Sequence, residues 1–358
     1  MKHLFYSDVH MKPENLAHVE TVFAAIEAGA QQHGVVASGG YVVNGGDLFN
    51  ERGVIRTSVF DLLAATRRRW AEKQMKHIDN IGNHDQEDRG GTMHPLRVFD
   101  MLPGSQVIEG PTFIEGLRWW FFPYSHRLEE QLREALYNAR PFQTCFVHAG
   151  IKDAWRNDKS RDTDGISVDA FKDFRRVFSG HYHYRHAFEN VQYIGSPMQH
   201  SFSELGQNKG YLIYDDETGK SEFHVIDGTP RHFDLQLTWT ELGREERSQS
   251  ALGWDEETNA YDADTPRMLP GPGDIVRFKV KGPAERVRGV TRDYLAKLTP
   301  ATTIKIERET TDQTYSRLAL EEGGHGDVTS LMEKYINHLE PALDRARLLT
   351  LGVDLMGL

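Results

Sequence analysis

The amino-acid sequence predicts an α/β fold of layered type for residues 1–230, and two observations carry that expectation. Short β-rich runs alternate with longer stretches of helical period. The first of those stretches, PENLAHVETVFAAIEAGAQQHG, sets Leu16, Val19, Val22, Phe23 and Ile26 on one stripe, as a helix with a single buried face does.

In chain order, KHLFYS reads as a strand, followed by that helix. YVVNGG is a strand, VFDLLAATRRRWAEKQM a helix and HIDNIG a strand. RWWFFPYS is a strand, RLEEQLREALYNA a helix, and QTCFVHAG and RRVFSG are strands. VQYIGS, GYLIYD and SEFHVI are further strand candidates. Past DGTPRHFDLQL the texture changes to an acidic stretch ending in TPRMLPGPGD, whose Pro and Gly mark a linker or loop. DIVRFKVKG, AERVRGVTRDYLAKL and TTIKIERE then read strand, helix, strand, enough for a small second domain at 231–318. EEGGHGD punctuates again, and DVTSLMEKYINHLEPALDRARLLTLG predicts one or two helices closing the chain at 323–358.

At 358 residues, the chain is long for one domain, so two domains or one enlarged domain are expected. Its single cysteine, Cys145, excludes an intrachain disulfide and a thiolate zinc site, and a reducing, cytoplasmic setting is expected. MKHLFYSDVH is too short an apolar run for a signal peptide, and no stretch approaches the roughly 20 apolar residues of a membrane span. A net charge of −11 argues weakly against a nucleic-acid partner. Charge is segregated, however: Asp274–Arg308 holds nine basic and four acidic residues, whereas Glu241–Asp264 holds eight acids and two arginines.

The polar residues that follow the strands carry the chemistry. KHLFYS runs into Asp8 and His10, YVVNGG into Asp47, HIDNIG into Asn83 and His84, QTCFV into His148, and RRVFSG into His181 and His183. Five strands thus deliver metal-capable groups at their C-terminal ends, where α/β sheets build their sites. In extended chain the two i, i+2 pairs would each point to one face. With His84 set aside, two Asp, one Asn and four His without thiolate suit Mn²⁺, Fe²⁺ or Zn²⁺ rather than a structural zinc site, and seven donors are more than one ion needs. Two ions sharing a carboxylate are expected. Glycines before Asp47, Asn83 and His181 are expected where backbone must turn beside a ligand.

Taken in order, Asp8-x-His10, Gly46-Asp47, Gly82-Asn83-His84-Asp85, His148 and Gly180-His181-x-His183 resemble the motif series of the calcineurin-like metallophosphoesterases. GGDLFN, SGHYH and YIGSPMQHSFSELGQNKGY further resemble the SbcD-type nucleases of double-strand-break repair and recombination complexes, phage versions included. The resemblance implies an α/β/β/α sandwich with a small α/β capping domain and a helical tail. It implies one ion on Asp8, His10 and His183, a second on Asn83, His148 and His181, and Asp47 bridging them. Mn²⁺ is the first expectation, with Mg²⁺, Fe²⁺ or Zn²⁺ as competitors. It further implies that a hydroxide held between the ions attacks phosphorus while His84, not a ligand, serves the departing 3′ oxygen. Double-strand exonuclease and single-strand endonuclease activity on DNA is implied, alongside an SMC-like coiled-coil ATPase, as a homodimer within a heterotetramer. The family commonly has a histidine shortly after GDLF; here Asn50, Glu51 and Arg52 stand there, and Arg52 is a candidate for a phosphate contact.

The basic second region is expected to touch the DNA backbone through residues such as Arg286 and Arg288. Arg67-Arg68-Arg69 reads as a solvated helix face, Asp85 as structural, and His3, His77, His94, His126, His186 and His200 as ordinary histidines. The rival readings are a metallophosphatase or small-molecule phosphodiesterase of the same superfamily, and an inactive binding scaffold. Against the protein phosphatases stand GDLFNERG and GNHD, where those enzymes look like GDxxDRG and GNHE.

Overall fold

The computed structural model describes residues 1–88, 93–138, 143–157, 159–239, 245–249 and 270–311. Its strands are β1 (Lys2–Tyr6), β2 (Tyr41–Asn44), β3 (Lys76–Asn80), β4 (Ser105–Ile108), β5 (Thr112–Ile114), β6 (Trp119–Phe122), β7 (Thr144–His148) and β8 (Arg176–Gly180). They continue with β9 (His186–Phe188), β10 (Val191–Tyr193), β11 (Gly210–Asp215), β12 (Lys220–Val225), β13 (His232–Trp239), β14 (Glu245–Gln249), β15 (Ile275–Gly282) and β16 (Thr303–Thr310). The helices are α1 (Leu16–Gln32), α2 (Thr57–Glu72), α3 (Leu128–Asn138), α4 (Ala284–Gly289) and α5 (Arg292–Ala296).

Strand alternation builds the layers. In β1, Leu4 and Tyr6 join the core beneath α1 and α2, while Phe5 turns the other way onto Phe146 and Phe178. In β7, Phe146 shares that inter-sheet core, while Cys145 and Val147 pack with Leu128 and Leu132 of α3. One six-stranded sheet runs β12-β11-β1-β2-β3-β4, the other β5-β6-β7-β8-β10-β9. Helix, sheet, sheet, helix is therefore the order of layers, as expected. Because β1, β2 and β3 are mutually parallel, and β6, β7 and β8 likewise, their C-terminal ends gather on one edge of each sheet.

A four-stranded sheet of order β14-β13-β15-β16 follows. The chain divides into two compact units: Met1–Leu235 with Gln249–Arg277 and Ala296–Lys305, and Gln236–Ser248 with Phe278–Leu295 and Ile306–Leu358. The expected tail, 323–358, and most of the acidic stretch lie outside the described residues. No helix among the described residues is long and apolar enough to cross a membrane.

Three readings change. The run expected as one helix over 284–298 is two, because Val290 turns extended (ψ 113°) and Thr291 Oγ1 accepts from Tyr294 N at the start of α5. Strands β4, β5, β9, β13 and β14 were not expected: the first three are mostly half-buried and lack a strong apolar pattern, and β14 falls in the acidic stretch read as a linker or loop. Arg67 is not on a solvated face. It falls on the buried stripe of α2 with Leu63 and Trp70, fully enclosed, and its guanidinium meets Asp79 Oδ1 at 2.5 Å and Tyr6 OH at 3.1 Å. A buried guanidinium with a carboxylate partner is tolerated where an unpaired one would not be.

Candidate metal centre

Three of the strand ends turn sharply before presenting their side chains, whereas His148 is the last residue of β7. Asp8, His10, Asp47 and His181 all have positive φ (58°, 48°, 56° and 87°), a left-handed conformation that costs non-glycine residues about 1–3 kcal/mol each and clusters at functional sites. The sequence predicts that strand alternation turns each i, i+2 pair to one face, and it does not: β1 ends at Tyr6 and β8 at Gly180, and left-handed turns bring Asp8 with His10 and His181 with His183 inward. Backbone hydrogen bonds fix the turns against each other, Asp8 N to Gly46 O at 2.9 Å and His10 N to Asp47 O at 3.1 Å. Of the glycines, Gly46 supplies the expected turn with φ 116°, whereas Gly82 is needed for close approach, since a Cβ there would collide with the Asp47 carboxylate and amide.

Asp85 ties this loop set together by accepting Asp47 N at 2.8 Å, Gly82 N at 2.9 Å and Phe49 N at 3.0 Å. Among the described bonds it orients backbone. Burial, then the charge on Asp47, push its carboxyl up to about 7 against the pull of the Phe49 and Gly82 amides.

The donors meet in three overlapping groups: Asp8, His10 and His183; His10, Asp47 and His84; Asp47, His148 and His181. Asn83 joins the last through Oδ1, 3.0 Å from His181 Nδ1. Asp47 thus sits between the two ends of the cluster. All seven donors assigned from the sequence come together, with His84 alongside, its backbone N donating to Asp47 Oδ1 at 2.8 Å.

The donors fit cations. His148 Nδ1–H donates to Gly45 O at 2.9 Å, so in the neutral ring the Nε2 lone pair faces Asp47 Oδ2 at 3.3 Å. His183 Nδ1–H donates to Glu204 Oε1 at 2.9 Å, leaving Nε2 3.0 Å from His10 Nε2. At His148 and Asp47 an acceptor faces an acceptor, which needs positive charge between them, while His183 Nε2 offers a lone pair toward His10. About 3 Å is also the spacing of two nitrogen ligands that sit at a right angle and about 2.1 Å from one ion. Without an ion, protonation answers the same need: burial opposes it, but Asp47 pushes His148 up to about 9. Asp47 is itself held well below the ordinary carboxylate range, its burial outweighed by His148, His10 and His84.

His84 is held from a direction the sequence did not reveal. Its Nδ1–H donates to the backbone oxygen of Asn50 at 2.6 Å, so the departure from the family histidine at that position leaves a carbonyl, available from any residue, to orient His84. Arg52 is exposed and does not line the cavity of about 310 Å³ beside His84, although Glu51 and Gly53 do. Arg286 and Arg288 are exposed on α4, around buried Val287. On the other side, His148 and His181 open onto a cleft of about 590 Å³ with Tyr124, Tyr182 and Arg156. Asp162 draws Arg156 into that cleft at 2.7 Å and accepts from Tyr182 OH at 2.5 Å, which brings the loop after His148 to the site.

Sequence reasoning missed a buried layer behind the cluster. His200, read as ordinary, packs 4.8 Å from His183 and 5.2 Å from His10, ring to ring, and its Nε2–H donates to Asp8 O at 2.8 Å. Burial pushes it down to about 3. Glu204 and Lys209 stand behind His183; both lie in the SbcD-like stretch, where the resemblance marked them without a role.

The two packed mixed sheets are the layered α/β arrangement that the resemblance to the metallophosphoesterases implies, and a cluster of Asp, Asn and His lies at their strand ends. Comparison with known proteins bears out the resemblance. The chain is 36% identical over 170 residues to the SbcD component of the nuclease SbcCD of Staphylococcus epidermidis, covering 39% of this chain and 45% of that protein. It is 25% identical over 184 residues to exonuclease subunit 1 of Enterobacteria phage T4, covering 50% of this chain and 53% of that protein. The chain therefore matches about half the length of these curated relatives. An archaeal phosphodiesterase structure aligns over 63% of this chain and 100% of its own at 15% identity, with a TM-score of 0.32. No protein-family model matches the chain.

Proposed function

We propose that this chain is a metal-dependent nuclease that hydrolyses DNA phosphodiester bonds, with the strand-end cluster as its centre. The observation that carries the reading is the convergence of seven donors from five strands around the buried carboxylate of Asp47. Asp8, His10 and His183 would hold one ion, Asn83, His148 and His181 the other, and Asp47 both. When bound, such ions screen the charge on phosphoryl oxygens and bring the acidity of a water toward neutral pH; Mn²⁺ is the ion proposed first, ahead of Mg²⁺, Fe²⁺ and Zn²⁺.

The protein's own groups do the rest. With Nδ1–H committed to Asn50 O, His84 can deliver a proton only from Nε2, a fixed atom at the edge of the cluster, and the departing 3′ oxygen is its recipient. The His84 amide, donating to Asp47 Oδ1, keeps the ring's position tied to the bridging carboxylate. Arg156 in the cleft beside His181, and the exposed Arg286 and Arg288, are proposed to meet the DNA backbone; Arg52 is a weaker candidate, being outside the cavity at His84.

One curated relative is by name a component of the nuclease SbcCD, and the other an exonuclease subunit. By extension, an SMC-like ATPase is proposed as partner, gripped by residues 323–358, with two copies of this chain in a heterotetramer acting in recombination or repair in the cytoplasm. A chain of net charge −11 gains from a partner that supplies DNA affinity. The test is cleavage of end-labelled duplex and of circular single-stranded DNA with Mn²⁺, Mg²⁺ or EDTA, beside a small phosphodiester. Metal-dependent cleavage of DNA is expected; turnover of the small ester alone would favour a small-molecule phosphodiesterase.

A further inference from the structure

Behind His183 lies a buried ion pair that the proposed reaction does not use directly. Glu204 and Lys209 are each 5% exposed, and their side chains meet at 2.8 Å. The three donors of the Lys209 ammonium are satisfied by Glu204 Oε2, His183 O at 2.8 Å and Gln207 Oε1 at 2.9 Å. Glu204 Oε1 accepts from His183 Nδ1–H, and Oε2 also accepts from His200 N at 3.2 Å. His183 is thereby gripped twice, at its ring by the carboxylate and at its backbone carbonyl by the ammonium.

The segment bearing Glu204 is itself fixed. Ser201 Oγ caps its short 3-10 turn, and Phe202 packs under Arg277 (4.4 Å) and Lys305 (5.2 Å) and against His232 (4.7 Å). Burying a carboxylate and an ammonium is costly, and a hydrophobic pair would often serve stability as well. What such a pair can do, and a hydrophobic pair cannot, is choose which nitrogen of His183 carries the proton.

We propose that Glu204, backed by Lys209, is a positioning residue for His183: it holds the ring in the Nδ1–H tautomer, so that Nε2 presents its lone pair toward His10 and Asp8. This rests on the two-ion reading for its consequence, but not for its direct readout. Among the described residues no carboxylate hydrogen-bonds to the His181 ring; its Nδ1 faces the Asn83 amide oxygen. The effect is therefore one-sided, acting on the Asp8, His10 and His183 end of the cluster.

Two measurements on the full chain test this. Nitrogen-15 spectra of the metal-free protein at alkaline pH read the His183 tautomer directly: Nδ1–H is expected in the wild type, with a shift toward Nε2–H in Glu204→Ala and retention in Glu204→Gln, whose amide oxygen still accepts. Mn²⁺ titration should show one of two sites weakened roughly 10- to 100-fold in Glu204→Ala and the other changed less than about threefold. An unchanged tautomer in Glu204→Ala overturns the proposal, as does equal weakening of both sites. If Glu204→Ala fails to fold, the double variant Glu204→Met/Lys209→Met, which removes the acceptor and leaves no buried charge unpaired, takes its place, with the same shift and one-sided weakening expected. A wild type that binds no Mn²⁺ refutes the two-ion reading, while the tautomer still decides the role of Glu204.

Discussion

Asp85 ends the Gly-Asn-His-Asp run, and its replacement by alanine should be among the costliest changes near the centre. Three backbone amides, those of Asp47, Gly82 and Phe49, donate to its two oxygens, and Asp85 is 2% exposed. Each buried donor left without an acceptor costs about 1–3 kcal/mol, so Asp85→Ala should lose roughly 3–6 kcal/mol, allowing for some relaxation. Asp85→Asn should cost only on the order of 1–2 kcal/mol. Its amide oxygen can keep Asp47 N and Gly82 N, and burial beside Asp47 already resists the charge that the substitution removes. Urea unfolding of the metal-free proteins measures both. A midpoint for Asp85→Ala matching wild type to within about 0.5 kcal/mol, at unchanged slope, would refute the claim that this carboxylate anchors the two loops.

Asp47→Ala should be worse for metal content than loss of any other donor, because Asp47 belongs to both ends of the cluster; elemental analysis showing near-full occupancy would remove it from the bridging position. His84→Ser should lower the rate of DNA cleavage roughly 10²-fold while metal content and DNA affinity change little; a variant that also lost its metal would place His84 among the ligands. Arg67→Met strands the Asp79 carboxylate in the core and should destabilise by about 3–5 kcal/mol, and adding Asp79→Leu should recover most of that; thermal unfolding in which the single and double variants match would show that the pair is not the cause.

Much of the centre was legible because turn residues and strand patterns are local. Asp8, Asp47, Asn83 and His181 each follow a strand within a few residues and His148 ends one, and parallel strands bring such ends together. The layers were legible in the same way, through alternation such as Leu4, Phe5, Tyr6. What was not legible depends on contacts distant in sequence or on backbone. Glu204 meets His183 across 21 residues of chain, and Arg67 meets Asp79 across the interface of a helix with a strand. Arg67 was misread because a run of three arginines looks solvated whatever its helical phase. The Asn50 carbonyl cannot appear in any side-chain pattern, and the left-handed turns at Asp8 and His181 replaced the extended geometry that i, i+2 spacing suggested.

The central claim is that one bridging carboxylate organises a two-ion centre. Calorimetric titration of the metal-free chain with Mn²⁺, run on the wild type and on Asp47→Ala, tests it most directly. Two ions per chain are predicted for the wild type, and neither at comparable affinity for the variant. A wild-type stoichiometry of one or zero, or two ions still bound tightly without Asp47, would contradict it.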